Sequence, residues 1–166
     1  MNITSDQIEK VLKLLAKAPR RIASLSNGLD NSTLSFKPDE ETWSANEILA
    51  HLRACADVRD NSIIAMLSQE HPTLRHISPR TWIKKTDYPK LDFYVSLKVF
   101  TKQRNDLLKL LKPLKNKDWL RGATFTGITK GRDQTVFSYV NTITQHENDH
   151  CAQIEDSLKK LRIFIQ

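Results

Sequence analysis

The fold is decided by residues 133–161, which read DQTVFSYVNTITQHENDHCAQIEDSLKKL. The apolar residues of this stretch recur at the spacing of one helix face, which is typical of a helix that packs against a core. They are Val136, Val140, Ile143, Ile154, Leu158 and Leu161. We therefore predict a single long helix over residues 133–161.

Three earlier segments have the same helical spacing, at about residues 5–25, 44–67 and 92–112. The second opens with Ser44 and Glu47, and this S-x-x-E pair satisfies free amide groups at a helix start. Thr4 and Gln7 form a similar pair before the first segment. Pro19 lies inside the first segment and is expected to kink or split its helix.

Four long helices without a convincing strand pattern predict an all-α protein, most simply a four-helix bundle formed by one domain over residues 1–166. The connection between the second and third helices, about residues 69–91, contains three prolines and exceeds the usual length of a loop. Long loops of this kind often cover a site.

The charge of the chain is uneven. The net charge is +7. Residues 1–83 carry 10 basic and 10 acidic side chains, and the remaining residues carry 16 and 9. A basic surface attracts nucleic acid, anionic lipid or acidic small molecules alike, so this charge alone does not identify a partner. Four lysines of the third helix fall opposite its apolar stripe, where a solvated face is expected: Lys98, Lys102, Lys109 and Lys112.

The chain has no apolar run of the roughly 20 residues that span a bilayer, and its first residues lack the apolar stretch of a signal peptide. We expect a cytoplasmic protein that does not enter membranes. Its two cysteines, Cys55 and Cys151, are too few for a disulfide framework and are expected to be free thiols.

His146 and His150 are four residues apart, so a helix places both side chains on one side, close enough to hold one ion. Two alternatives remain open: a coincidence on a solvated face, or a core histidine bonded to a neighbour. His51 follows Ile48 by three residues and is expected to point inward from the second helix. Imidazole is a common ligand of zinc, nickel, copper and iron.

Residues 146–150 also match H-E-x-x-H, the signature of zinc peptidases. Those enzymes take a third ligand downstream, whereas only 16 residues follow His150 and none is a histidine. A peptidase is therefore disfavoured.

The chain resembles the DinB/YfiT-like superfamily of metalloenzymes over nearly its full length. The stretch from Trp43 to Leu52, WSANEILAHL, is similar to the family pattern W-S-x-x-E-I-L-x-H-L. The approach to it contains Pro19, Arg20 and Pro38, and the end of the pattern is HENDH followed by CAQI at residues 146–154.

This resemblance implies a four-helix bundle, frequently a homodimer, in which a divalent metal is bound by one histidine of the second helix and two of the fourth. The matching positions are His51, His146 and His150. Zinc and nickel are the expected metals. The resemblance also implies an enzyme acting on a small molecule, foremost a thiol-dependent S-transferase that uses a bacillithiol-type cosubstrate.

Three more residues, Glu147, Arg104 and Cys55, each have a functional and a structural interpretation. Glu147 is a candidate catalytic base, or a surface carboxylate. Arg104 interrupts the apolar stripe of the third helix, where it either pairs internally with a carboxylate or binds an anionic substrate group. Cys55 lies one turn after His51 and is more typical of packing than of metal binding.

Two other functions stay open. The same three histidines would serve a metal-dependent hydrolase in which the ion provides a hydroxide nucleophile. The chain would alternatively be a non-enzymatic module whose basic surface binds nucleic acid or acidic partners. The second function is disfavoured because aromatic residues for base stacking are sparse in the basic segment, with Trp119 and Phe125 as the exceptions.

Overall fold

A computed structural model of the protein describes residues 3–37, 39–127 and 131–164. Pro38, which is part of the family pattern, lies outside these residues. The elements are α1 (Ser5–Ser26), α2 (Asn31–Ser35), α3 (Ala45–Ser68), β1 (Thr73–Arg75), α4 (Pro79–Ile83), a 3-10 turn (Tyr88–Lys90), α5 (Phe93–Leu111), α6 (Asn116–Trp119), β2 (Gly122–Thr126), β3 (Arg132–Thr135) and α7 (Val136–Phe164).

The capping pairs start their helices as predicted. At α3 the amide of Glu47 donates to Oγ of Ser44 over 3.1 Å, and the amide of Ser44 donates to Oε2 of Glu47 over 2.9 Å. The amide of Gln7 and the hydroxyl of Thr4 form the same reciprocal cap at α1. These bonds satisfy amide groups that would otherwise lack partners at the first turn.

The helix limits depart from the expectations in two places. Of the kink or split expected at Pro19, the split does not occur, since α1 runs from Ser5 to Ser26 with Pro19 buried inside it. Packing of a buried face stabilises a helix more than local propensity does. Residues 133–135 were predicted to be helical, but they belong to β3, which pairs antiparallel with β2. Hydrogen bonding to a neighbouring strand therefore delays the start of α7.

The long helices α1, α3, α5 and α7 form the predicted four-helix bundle, and the all-α class is confirmed. Both α1 and α3 pack against α5 and α7, so α1 and α3 lie diagonally opposite each other. A small sheet that contacts α3 and α7 has the strand order β1-β2-β3, with β1 parallel to β2. This sheet was not predicted.

The bundle interior consists of two apolar clusters with charged residues at an intermediate level. One cluster contains Leu15, Ile63, Leu107 and Val140, and the other contains Ile22, Ile48, Phe100 and Ile154. Between these levels Arg104 of α5 lies 2.7 Å from a carboxylate oxygen of Asp60 on α3 and 3.1 Å from one of Glu147 on α7. This charged triad joins three of the four helices.

The connection between α3 and α5 is ordered by one carboxylate. Asp57 accepts hydrogen bonds from the Trp82 indole over 3.1 Å, the Tyr88 hydroxyl over 2.8 Å and the Gln103 amide over 2.7 Å. The Arg53 guanidinium lies 3.8 Å from the centre of the Tyr88 ring. The predicted long loop is thus fixed to α3 and α5 by its own side chains.

Of the helices described, none is both long and apolar enough to cross a membrane.

Candidate metal centre

Three histidines from α3 and α7 meet at the side of the bundle. The Nε2 atom of His146 lies 3.4 Å from Nε2 of His51 and 3.2 Å from Nε2 of His150. Nitrogen ligands about 2.0–2.1 Å from a shared ion lie about 3.0–3.4 Å apart in tetrahedral or octahedral arrangements. The two distances from His146 Nε2 therefore lie within the range expected for nitrogen ligands of one first-row divalent ion.

The protonation of the three rings also suits metal binding. Burial is the main cause that lowers the pKa of His51 to about 4 and that of His146 to about 3. The pKa of His150 is lowered too, again chiefly by burial. Neutral imidazole is the form that binds metals, so the site is ready to bind one at neutral pH.

His150 is oriented by a hydrogen bond on the far side of its ring. Its Nδ1 lies 2.9 Å from Oε1 of Gln153, an oxygen that accepts hydrogen bonds and cannot donate them. This bond keeps the proton on Nδ1 and leaves the Nε2 lone pair directed toward His146. Such bonds fix the tautomer of metal-binding histidines.

Cys55 is a second neighbour of the cluster. Its Sγ lies 3.4 Å from Nε2 of His51, and donor atoms of His51, Cys55 and His146 lie within 4.8 Å of one another. Burial is the main cause that raises the pKa of the Cys55 thiol to about 11. Without an ion this thiol is therefore protonated, and a ligand role would require the metal to displace its proton.

Trp43, the first residue of the W-S motif, covers the histidines. Its ring lies parallel to that of His150, with centroids 6.3 Å apart and an interplanar angle of 8°. It meets the His51 ring edge-on at 5.2 Å. The cap at Ser44 fixes the chain beside Trp43, so the same motif begins α3 and shields the site.

Glu147 and Arg104 lie in the interior instead of facing the cleft. Arg104 is fully buried, with its Nη2 2.7 Å from both carboxylate oxygens of Asp60, and the Glu147 side chain is 5% exposed. The structure thus shows the internal pairing that the sequence left as an alternative to substrate binding for Arg104. Burial raises the pKa of Glu147 to about 7, and the charge of Arg104 opposes that shift. Glu147 is not a surface carboxylate.

The histidines open into a cleft of about 940 Å³. Its wall includes Ser78 and Arg80, so part of the predicted long loop does cover the site. Sequence patterns did not predict that Trp43 covers the histidines or that Arg59 lines the wall of the cleft. Arg59 follows Cys55 by one turn, and this spacing is the signal that would have revealed it.

The sequence identifies the protein family of this chain. The sequence model of the DinB superfamily fits residues 14–154. The chain belongs to the DinB superfamily. A Halalkalibacterium halodurans protein named as a candidate metal-dependent hydrolase is 24% identical to this DinB protein over 160 residues, or 94% of this chain and 89% of the relative.

The solved structure of YfiT from Bacillus subtilis superposes on this DinB protein with a TM-score of 0.83 and 19% identity. The match covers 95% of this chain and 89% of YfiT, which is described as a probable metal-dependent hydrolase with an unusual four-helix bundle topology. The likeness establishes the fold.

Proposed function

We propose that this DinB protein is a metal-dependent enzyme that acts on a small molecule, with one divalent transition-metal ion held by His51, His146 and His150. The observation that carries this proposal is the convergence of the histidine Nε2 atoms, at 3.2 and 3.4 Å from His146, beside the cleft. Zinc and nickel both suit three neutral imidazoles.

A bound ion with an open position supplies Lewis acidity, which activates water or a thiol near neutral pH. The protein residues then have separate tasks. Gln153 orients His150, and Trp43 shields the rings from solvent on one side. Glu147 does not face the cleft, and its contact with Arg104 instead fixes α7 beneath the histidines. It is therefore a positioning residue.

Hydrolysis is the reaction that the two relatives support, since both are described as metal-dependent hydrolases. A second candidate, thiol transfer with a bacillithiol-type cosubstrate, is favoured by the size of the cleft. At about 940 Å³ it lies near the upper end of small-molecule sites and has room for two reactants. A homodimer in the cytoplasm remains the accompanying prediction.

The metal site is tested by elemental analysis of untagged protein purified without chelator. Wild type is expected to hold roughly one equivalent of transition metal, and His51→Ala and His146→Ala almost none. His71→Ala is the matched control, because His71 is an exposed histidine that contacts Thr124 instead of the cluster. Wild type that binds no metal, or His51→Ala with a full equivalent, would overturn the proposal.

The two reactions are separated by assays on the metal-loaded protein. An activated ester tests hydrolysis, and an electrophilic fluorophore with a low-molecular-weight thiol tests transfer. The proposed chemistry requires that His146→Ala abolish whichever activity is found and that His71→Ala retain it. Activity that survives removal of the metal from wild type would place the reaction elsewhere.

A further inference from the structure

Arg59 lies on α3 two helical turns beyond His51 and lines the same cleft. Eight residues correspond to about 12 Å along a helix, and helical side chains lean toward the N-terminus, so the long Arg59 side chain leans back toward the histidines. Burial is the largest cause of the lowered pKa of all three histidines, and the charge of Arg59 adds to each shift. Arg59 and the three histidines therefore line one cleft.

Arg59 differs from the arginines that stabilise the fold. Arg53 donates to Ser96 over 3.1 Å, Arg121 donates to the carbonyl groups of Met66 and Gln69, and Arg21 pairs with Glu155. Nη1 of Arg59 is buried, yet it has no hydrogen-bond partner among the described residues. Burying a charged donor without a partner destabilises the folded state, and no hydrogen bond among the described residues offsets this effect at Nη1 of Arg59.

Two carboxylates on which the charge of Arg59 acts are already engaged by another cation. The charge of Arg59 acts on both Asp60 and Glu147, but Arg104 holds these two groups at 2.7 and 3.1 Å. No salt bridge or cation-π contact of Arg59 is found in the described ranges 3–37, 39–127 and 131–161. Arg59 thus lines the cleft without an ion pair among these residues, and its donors other than the buried Nη1 are the ones that a ligand there would reach.

A second guanidinium lines the cleft from α4. Arg80 is exposed, and its charge adds to the burial that lowers the pKa of His51 and His150. The cleft wall also contains Glu41, Asp149 and Asp156, but none of the salt bridges found among described residues joins them to Arg59 or Arg80. Two cations from different elements thus line the cleft beside the histidines, and neither forms an ion pair among the described residues.

We propose that Arg59, assisted by Arg80, binds an anionic oxygen group of the substrate, a carboxylate or a phosphate, beside the metal centre. The proposal rests on the proposed function and adds the substrate class to it. Guanidinium groups present parallel donors that match the paired oxygens of both anions. An anionic substrate would supply the partner that Arg59 lacks and would place its reacting group next to the histidines.

The test is calorimetric titration of inorganic phosphate, and separately acetate, into zinc-loaded and into metal-free protein. Arg59→Gln is expected to weaken the binding of at least one anion by about tenfold or more in both the zinc-loaded and the metal-free protein. Arg59→Lys should weaken it by less, because lysine keeps the positive charge but lacks the parallel donors of a guanidinium. Arg20→Gln, an exposed arginine of α1, should bind like wild type. The ratio of the phosphate and acetate affinities identifies the anion.

Wild type that binds neither anion, or Arg59→Gln that binds both as tightly as wild type, would overturn the inference. Metal content is measured on the same samples and should be unchanged in Arg59→Gln, so a failure of the metal site is seen separately. The melting temperature provides a second readout. It should stay equal or rise in Arg59→Gln, whereas a fall of about 4 °C or more would indicate a structural role for Arg59 and refute the assignment.

Discussion

Replacing Arg104 by Met should destabilise the bundle strongly, in a way that depends on pH. Methionine fills a similar volume, but it leaves Asp60 and Glu147 inside the protein without the cation that faces both. Removing one partner of a buried ion pair costs about 3–5 kcal/mol. We expect a loss of this size in the free energy of unfolding at pH 8.

The pH dependence follows from the raised pKa of Glu147, about 7 against an ordinary 4.5. Between these values the folded protein binds more protons than the unfolded chain, so stability falls as pH rises through this window. Without Arg104 the pKa rises further and the loss continues above pH 7. At pH 5.5 Glu147 is protonated in both proteins and no longer adds to the loss, so the substitution should cost less than at pH 8, with the remaining cost coming from Asp60.

The measurement is urea unfolding of metal-free protein, followed by far-UV circular dichroism at pH 5.5 and pH 8. Metal is removed because a bound ligand adds to the apparent stability. Lys102→Met is the control on the same helix, since Lys102 is an exposed cation paired with Asp106, and it should cost less than about 1 kcal/mol. A loss below about 1 kcal/mol at pH 8 for Arg104→Met, or an equal loss at both pH values, would refute this reasoning.

Three further predictions concern the metal centre. The pKa values of His51 and His146 are about 4 and 3, so both rings stay neutral from pH 7.5 to 5.5. Zinc affinity, measured by chelator competition, should therefore fall less than tenfold over this range. With ordinary pKa values, protonation of each imidazole would lower the zinc affinity by about tenfold. Cys55→Ala should retain the metal, and the absorption spectrum of the cobalt-substituted wild type should lack a thiolate charge-transfer band. A band that is present in the wild type and absent from Cys55→Ala would make Cys55 a ligand. Cobalt should quench tryptophan fluorescence in wild type and in Trp82→Phe but not in Trp43→Phe, because Trp43 stacks on His150; quenching that persists in Trp43→Phe would contradict this placement.

The helices and the pairing of His146 with His150 were accessible from sequence because both depend on local spacing, whereas His51 was assigned to the same site chiefly by resemblance to the family motif. The four-residue interval placed His146 and His150 together, and the register beside Ile48 directed His51 inward, as the structure shows. Reciprocal caps depend on residues three apart, so the starts of α1 and α3 were also predicted correctly.

The missed features depend on pairs that are distant in sequence. The parallel pairing of β1 with β2 joins Thr73 to Thr124, and strands this short carry no alternation that would indicate them. Glu147 was ambiguous for the same reason. Its burial depends on Arg104, which lies on another helix, and no local pattern shows which carboxylate a buried guanidinium will select.

The fixed connection around Asp57 bears on the thermodynamics of ligand binding. Two hydrogen bonds to Asp57, from Trp82 and Tyr88, already order the loop that carries the Ser78 and Arg80 part of the cleft wall. The surface that a ligand contacts is therefore preorganised, and the ligand's binding free energy is not reduced by the cost of ordering a disordered segment. Its binding should show the small heat-capacity change of rigid association instead of the large negative change that accompanies coupled folding.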